Sequence, residues 1–291
     1  MSWPKAITSW RIGRALYLSV PFTWLLPVAR RLAEAHSPKG PVIAGGPAVS
    51  LMPEVMEGVA LVGQESPVPP LCVVNPLATF TTRGCPNRCG FCAVPKLEGQ
   101  FKELSEFQPR PIICDNNLLA ASRNHFDLVI DRLKALPWVD FNQGLDARLF
   151  TAHHARRIAE LRAAKVRFSF DHSRHETAVA DAVALCHKHG LKDLGIYILV
   201  GFHDTPADAL YRLELVKSWG IRPNPMRYQP LNSLRKNTYL ESGWDELEML
   251  RLMQYWGRQR WLEHIPYDEY IYHSDSPQRR QQAVMPWLEN M

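Results

Sequence analysis

From Leu77 to Gln229 the chain alternates six short apolar runs with segments whose apolar residues recur at helical spacing, and this alternation limits the fold more than any other feature. The runs are residues 77–82, 111–114, 138–142, 166–170, 194–200 and 225–229. Between them, Phe126, Val129, Ile130 and Leu133 share one helical face. So do Ala155, Ile158, Ala159 and Leu161, then Val179, Ala182, Val183 and Cys186, then Ala209, Leu213 and Val216, with Gly220 as a cap. A last helix is expected through Leu247, Leu250 and Met253. Strands alternating with helices argue for an α/β fold built on a parallel sheet. In such folds the functional side chains gather at the C-terminal ends of the strands.

Ahead of this region, residues 15–20, 41–44 and 60–62 read as strands and residues 22–35 as a helix, a small Rossmann-like α/β unit. Residues 64–76 carry Pro67, Pro69, Pro70 and Pro76 and read as a linker. The expected organisation is 1–70 for the small unit, 71–235 for the main domain and 236–291 for a helical, aromatic-rich extension. In that extension Trp244, Trp256, Trp261, Tyr267, Tyr270 and Tyr272 are expected to pack against the main domain.

Hydrophobic residues make up 46% of the 291 and charged residues 22%, which suits a globular chain with a sizeable core. The net charge of +5 is spread thinly, with a local pair near the C-terminus at Arg279-Arg280. Such a charge neither excludes nor argues for nucleic acid as a partner. Arg11 and Arg14 followed by an apolar run outline a signal peptide, but Pro21 and Pro27 break the run and Arg30 and Arg31 follow it. The run is also too short to span a bilayer. The expected location is the cytoplasm, with no membrane association.

Just past the first run lies Gly84-Cys85-Pro86-Asn87-Arg88-Cys89-Gly90-Phe91-Cys92. Six Cys in the whole chain make a trio at this spacing hard to attribute to composition. Thiolates are soft ligands for iron–sulfur clusters, zinc and copper(I). Structural zinc sites pair one Cys knuckle with a second, and Cys72, Cys114 and Cys186 stand singly; His125, His153 or His154 would have to complete such a site. Three thiolates on a four-iron cluster leave one iron open to a further ligand.

With aromatic Phe91 before its last Cys, the loop resembles the signature of radical S-adenosylmethionine enzymes. The resemblance implies a [4Fe–4S] cluster on Cys85, Cys89 and Cys92, with S-adenosylmethionine chelating the open iron. One-electron cleavage of the sulfonium would release a 5′-deoxyadenosyl radical that takes hydrogen from a substrate the sequence does not name. It implies a partial (β/α)6 TIM-type barrel and an external reductant of the flavodoxin or ferredoxin type. Ser19-Val20-Pro21-Phe22-Thr23-Trp24 and Gly45-Gly46-Pro47 resemble parts of the cobalamin-binding domain of one branch. That branch's Asp-x-His-x-x-Gly motif is missing and the first His is His36, so the unit is expected to be a shortened remnant without cobalamin. The alternative from another class is a non-catalytic protein with an electron-transfer iron–sulfur cluster or a structural zinc.

The strand ends supply the other candidates. Cys114-Asp115-Asn116-Asn117 follows the second run; Asp115 and Asn116 can accept from the methionyl ammonium, or equally cap a helix. After the third run, Arg148 can fork onto a carboxylate and Gln143 and Asp146 can meet ribose or substrate, unless Arg148 and Asp146 simply pair. After the fourth run the resemblance implies that Ser169 or Asp171 meets the ribose; the residues themselves leave His172 and His175 as acid–base groups or as simply solvated loop histidines. After the fifth it implies that Gly201 lies at the adenine.

Overall fold

The computed structural model describes residues 5–258 and 264–272; Trp261 and Arg279-Arg280 lie outside them. The small unit is a four-stranded sheet in the order β1-β2-β3-β4. β1 (Thr8–Ile12) and β2 (Ala15–Ser19) form an antiparallel hairpin, with Gly13 at φ 58° in the turn. α1 (Leu26–His36) returns the chain to β3 (Val42–Gly45), parallel to β2. α2 (Pro47–Leu51) precedes β4 (Leu61–Val62), parallel to β3. The first strand was not expected from the sequence. Its Thr-Ser-Trp-Arg-Ile run buries no residue fully, and backbone pairing with β2 plus the stacking of Trp10 on Tyr17 at 5.5 Å hold this edge. Leu18, Val20, Leu26, Ala29, Val42 and Met56 close a core of the unit's own.

The expected linker is not wholly irregular. It contains α3 (Pro70–Val74), opened by a proline whose missing N–H is no loss in a first turn. Then follow β5 (Ala78–Thr79), β6 (Thr82–Arg83), α4 (Val94–Leu97), β7 (Lys102–Glu103) and β8 (Ile112–Ile113). From there strands and helices alternate: α5 (Arg123–Leu133), β9 (Val139–Phe141), α6 (Ala152–Ile158), β10 (Ala164–Ser169), α7 (Glu176–Lys188), β11 (Asp193–Val200), α8 (Pro206–Ser218) and β12 (Pro223–Arg227). The main sheet is six-stranded in the order β12-β11-β10-β9-β8-β5, and every pairing in it is parallel. Neighbours in space are thus neighbours in this series, as a singly wound α/β sheet requires.

One expected strand is split. Residues 77–82 leave the main sheet after Thr79, and Thr82 and Arg83 pair antiparallel with β7 instead. The buried Asp115 carboxylate explains the break. It accepts from Thr81 N–H at 2.6 Å, from Thr82 N–H at 3.0 Å and from the Thr81 hydroxyl. Those amides are therefore not available to a neighbouring strand.

The helical faces read from the sequence are the buried ones on α5, α7 and α8, and on α6 for Ala155 and Ile158, whereas Ala159 caps that helix and is exposed. α9 (Glu246–Arg258) is out of phase with expectation. Leu247 is 62% exposed, while Met249, Leu252, Tyr255 and Trp256 face the core against α8 and β12. Two large aromatics at 255 and 256 bury more area than a leucine at 247 can offer, and they set the helix's rotation. Trp244 and Tyr270 join the same core. No helix among the described residues is long and apolar enough to cross a membrane.

Arg212, 1% exposed, ties this core to the strand ends. Its Nη1 donates to Leu199 O at 2.8 Å and to Phe170 O at 3.1 Å, Nε donates to Asp208 O at 3.2 Å, and Nη2 pairs with Asp204. Replacing Arg212 by Ala strands a buried carboxylate and two carbonyls. Urea unfolding is expected to show a loss of about 3–5 kcal/mol, and a change under 1 kcal/mol would refute the role.

Candidate functional site

A cavity of about 550 Å³ opens at the C-terminal ends of the main strands. Cys85, Cys89 and Cys92 line one side of it, each half-buried. The loop that carries them is clamped at its root. Gly84 adopts φ 72°, and a Cβ there would sit 2.5 Å from Gln100 O, so no side chain fits. Glu98 accepts from Gly84 N–H at 2.7 Å and pairs with Arg83 at 2.9 Å. Within the loop Cys92 N–H donates to Cys89 O at 3.0 Å.

Two donors reach the sulfurs: Val94 N–H to Cys92 Sγ at 3.5 Å and Asn117 Nδ2 to Cys85 Sγ at 3.6 Å. Burial pushes the Cys89 thiol up, against the pull of Arg148, and pushes Cys92 up against the Val94 N–H. Binding to a metal supplies the positive charge that reverses such a shift. The remaining cysteines do not line the cavity; burial drives Cys114 and Cys186 up to about 12. His125, His153 and His154, the candidates to complete a zinc site, are also elsewhere. His125 bonds Thr81 O, His153 bonds Asp127 and His154 serves the first turn of α6. Among the described residues no three His, Cys, Asp or Glu side chains converge on one ion position. A four-iron cluster does not ask for that, because each thiolate takes a different iron.

Of the other candidates, Phe91, Asn116, Gln143, Asp146, Arg148, Ser169 and Asp171 line the same cavity. Asp115 does not; its oxygens are occupied by Thr81 and Thr82, so it neither faces the cavity nor caps a helix, the two roles open to it from the sequence. Gly201 does not either. It turns the chain at φ 80°, donates to Asp204 and passes the cavity wall to Phe202.

Arg148 forks onto Asp146, Nε to Oδ1 at 2.8 Å and Nη2 to Oδ2 at 2.6 Å, so the pairing alternative holds and two of its donors are engaged. Burial alone would raise Asp146, but the Arg148 bonds prevail and hold it below the usual carboxylate range. Asn87 and Asn117 also donate to Asp146, at 3.0 and 3.4 Å, and tether the Cys loop to the loop after β9.

Sequence reasoning passed over Asn87, Asn117, Phe202 and Arg174 as site residues. Asn87 was legible, since it lies inside the Cys loop, whereas nothing local marked Asn117 as 2% exposed and facing sulfur. Phe202 meets Phe91 edge to face at 5.5 Å. Two buried amide atoms on the cavity's residues have no protein partner: Asn116 Nδ2 and Asn117 Oδ1. Buried polar atoms are normally satisfied, so these two are open to a partner that the described residues do not supply.

No protein-family model matches the chain, and no curated protein matches it. Among solved structures, it is similar to the radical S-adenosylmethionine methyltransferase TsrM from Kitasatospora setae, determined with cobalamin and a [4Fe–4S] cluster bound. The match has a TM-score of 0.54 at 15% identity and covers 76% of this chain. The chain spans 66% of that protein's length. At this identity the likeness is one of fold.

Burial raises Asp171 to about 6, against pulls from Leu199 N–H, Arg212 and Arg148. A raised carboxyl means the folded chain holds more protons than the unfolded one between its ordinary pKa and the raised value. Stability of the metal-free protein therefore falls as pH rises from about 4 to about 6, by roughly 2–3 kcal/mol. Asp171→Asn is expected to raise the apo-protein's melting temperature at pH 7.5 and to leave it unchanged at pH 4. An equal effect at both pH values would show that the burial cost is not what the substitution removes.

Proposed function

We propose that the protein is a radical S-adenosylmethionine enzyme, with a [4Fe–4S] cluster on Cys85, Cys89 and Cys92 in a partial (β/α)6 barrel formed by the six strands of the main sheet. The observation that carries this reading is the meeting, on one cavity at the strand ends, of three half-buried thiols and the partnerless amide atoms of Asn116 and Asn117. The shared fold with a radical S-adenosylmethionine methyltransferase supports it. When bound, such a cluster supplies one-electron cleavage of the sulfonium to methionine and a 5′-deoxyadenosyl radical, which abstracts hydrogen from the substrate.

The chain's own residues bind, orient and exclude. Val94 N–H and Asn117 Nδ2 draw negative charge from the sulfurs of Cys92 and Cys85 and favour the reduced state. Asn117 Oδ1 is an acceptor suited to the methionyl ammonium, and Asn116 Nδ2 is a donor suited to the carboxylate. Asp171 accepts from ribose hydroxyls, with Gln143 and Ser169 beside it. Phe91 and Phe202 form an apolar wall that keeps water from the adenosyl end. Asp146 and Arg148 act as a brace between loops, and Arg148 does not clasp the cofactor's carboxylate with the two donors it gives to Asp146. A flavodoxin- or ferredoxin-type reductant and a reducing cytoplasm complete the reading, which suits six free thiols.

Cobalamin has no part in it. The pocket at the ends of β2 and β3, between Ser19, Gly45, Gly46 and Trp10, is about 50 Å³ and no His lines it. His36, the first in the chain, is buried on α1 against Arg14 O at 3.3 Å.

Anaerobic reconstitution tests the reading. The wild-type chain is expected to take up about four irons and, with dithionite and S-adenosylmethionine, to release 5′-deoxyadenosine. Alanine at Cys85, Cys89 or Cys92 is expected to cut that release by about a hundredfold or more, since each removes a cluster ligand. A chain that binds zinc and no iron, or that carries four irons and leaves the sulfonium intact, would sink it.

A further inference from the structure

Two arginines line the cavity, and their states differ. Arg148 is forked onto Asp146. Arg174 has no carboxylate partner among the described residues; its backbone N–H and its Nε are engaged, and both Nη groups are free to donate. The engaged atoms also set the neighbouring rings. Arg174 N–H donates to His172 Nδ1 at 3.1 Å, so the neutral His172 carries its proton on Nε2. Arg174 Nε donates to His175 Nε2 at 3.2 Å, so the neutral His175 carries its proton on Nδ1. All three side chains line the cavity, and all three have only N–H groups left to offer it.

A cluster of donors with no acceptor among them suits a phosphate or carboxylate, which takes several short charge-assisted hydrogen bonds at once. None of the nearby carboxylates pairs with Arg174: Asp146 is held by Arg148, and Glu176 accepts from the exposed Tyr211 hydroxyl at 2.8 Å. None of the roles given above to the cofactor's residues uses His172, Arg174 or His175. A cavity of about 550 Å³ is within the usual range for a small-molecule site.

We propose that His172, Arg174 and His175 form an oxyanion subsite that anchors a phosphate or carboxylate group of the substrate. The proposal rests on the function proposed above, because it takes the rest of the cavity to be the cofactor's. It narrows the substrate to a molecule with an acidic group held beside the hydrogen that is removed.

Equilibrium dialysis of the reconstituted protein, saturated with S-adenosylmethionine, tests it with radiolabelled inorganic phosphate in one arm and radiolabelled acetate in the other. Saturable retention is expected, and the tighter arm names the group. Arg174→Gln, an exposed position with no packing role, is expected to weaken retention by about tenfold, the value of losing charged hydrogen bonds. No retention in either arm, or retention unaltered in Arg174→Gln, overturns the proposal. Displacement of the anion by S-adenosylmethionine overturns it too, because it assigns the donors to the methionyl carboxylate. Release of 5′-deoxyadenosine by the same wild-type preparation separates the two readings. Release without retention defeats the subsite alone, and retention without release defeats the proposed function alone.

Discussion

A guanidinium buried under the strand ends holds this site together. Arg212 reaches the carbonyls of Phe170 and Leu199, the residues that lead out of β10 and β11 toward the cavity. Its partner Asp204 in turn accepts from Gly201 N–H and from Trp244 Nε1, which draws the turn after β11 and the C-terminal segment into one network. Desolvation works against the Arg212 charge, and Asp204 offsets it. A buried pair of this kind adds little net stability over an apolar substitute, but it fixes geometry, since each donor must find its acceptor. The loops that carry Asp171 and Phe202 start from those fixed points.

Asp115 plays the matching part on the opposite side. A carboxylate that is 3% exposed captures the amides of Thr81 and Thr82 and bends the chain out of the main sheet. From that bend the chain enters β6, the Glu98 clamp and the Cys loop. His125 adds a bond to Thr81 O at 3.0 Å. The residues under the Cys loop are therefore a polar frame that holds three thiols on one wall. The Asp146 carboxylate, bonded by Asn87, Asn117 and Arg148, holds the loop from the other side.

Much of this was legible in the chain. The six runs became the six parallel strands because each is a short apolar stretch between helical faces, and local pattern fixes both. The Cys spacing is local too. What the sequence hid depends on distance. Arg148 had two open readings and pairs with Asp146, whereas Asp115 follows neither of its two, because the amides of Thr81 and Thr82, distant along the chain, occupy its carboxylate. The phase of α9 depended on which face the aromatic pair at 255 and 256 could bury, which no window along the helix contains. β1 buries no residue fully, and its place depends on pairing with β2 and on the stacking of Trp10 on Tyr17 across that pair.

The central claim is that three thiolates hold a four-iron cluster with one iron left open. Electron paramagnetic resonance of the dithionite-reduced, reconstituted protein addresses it without reference to substrate. S-adenosylmethionine is expected to shift the g values of the reduced cluster, because its amino and carboxylate groups bind the iron that no Cys occupies. A spectrum identical with and without S-adenosylmethionine would mean that all four irons are already ligated, and would contradict the claim.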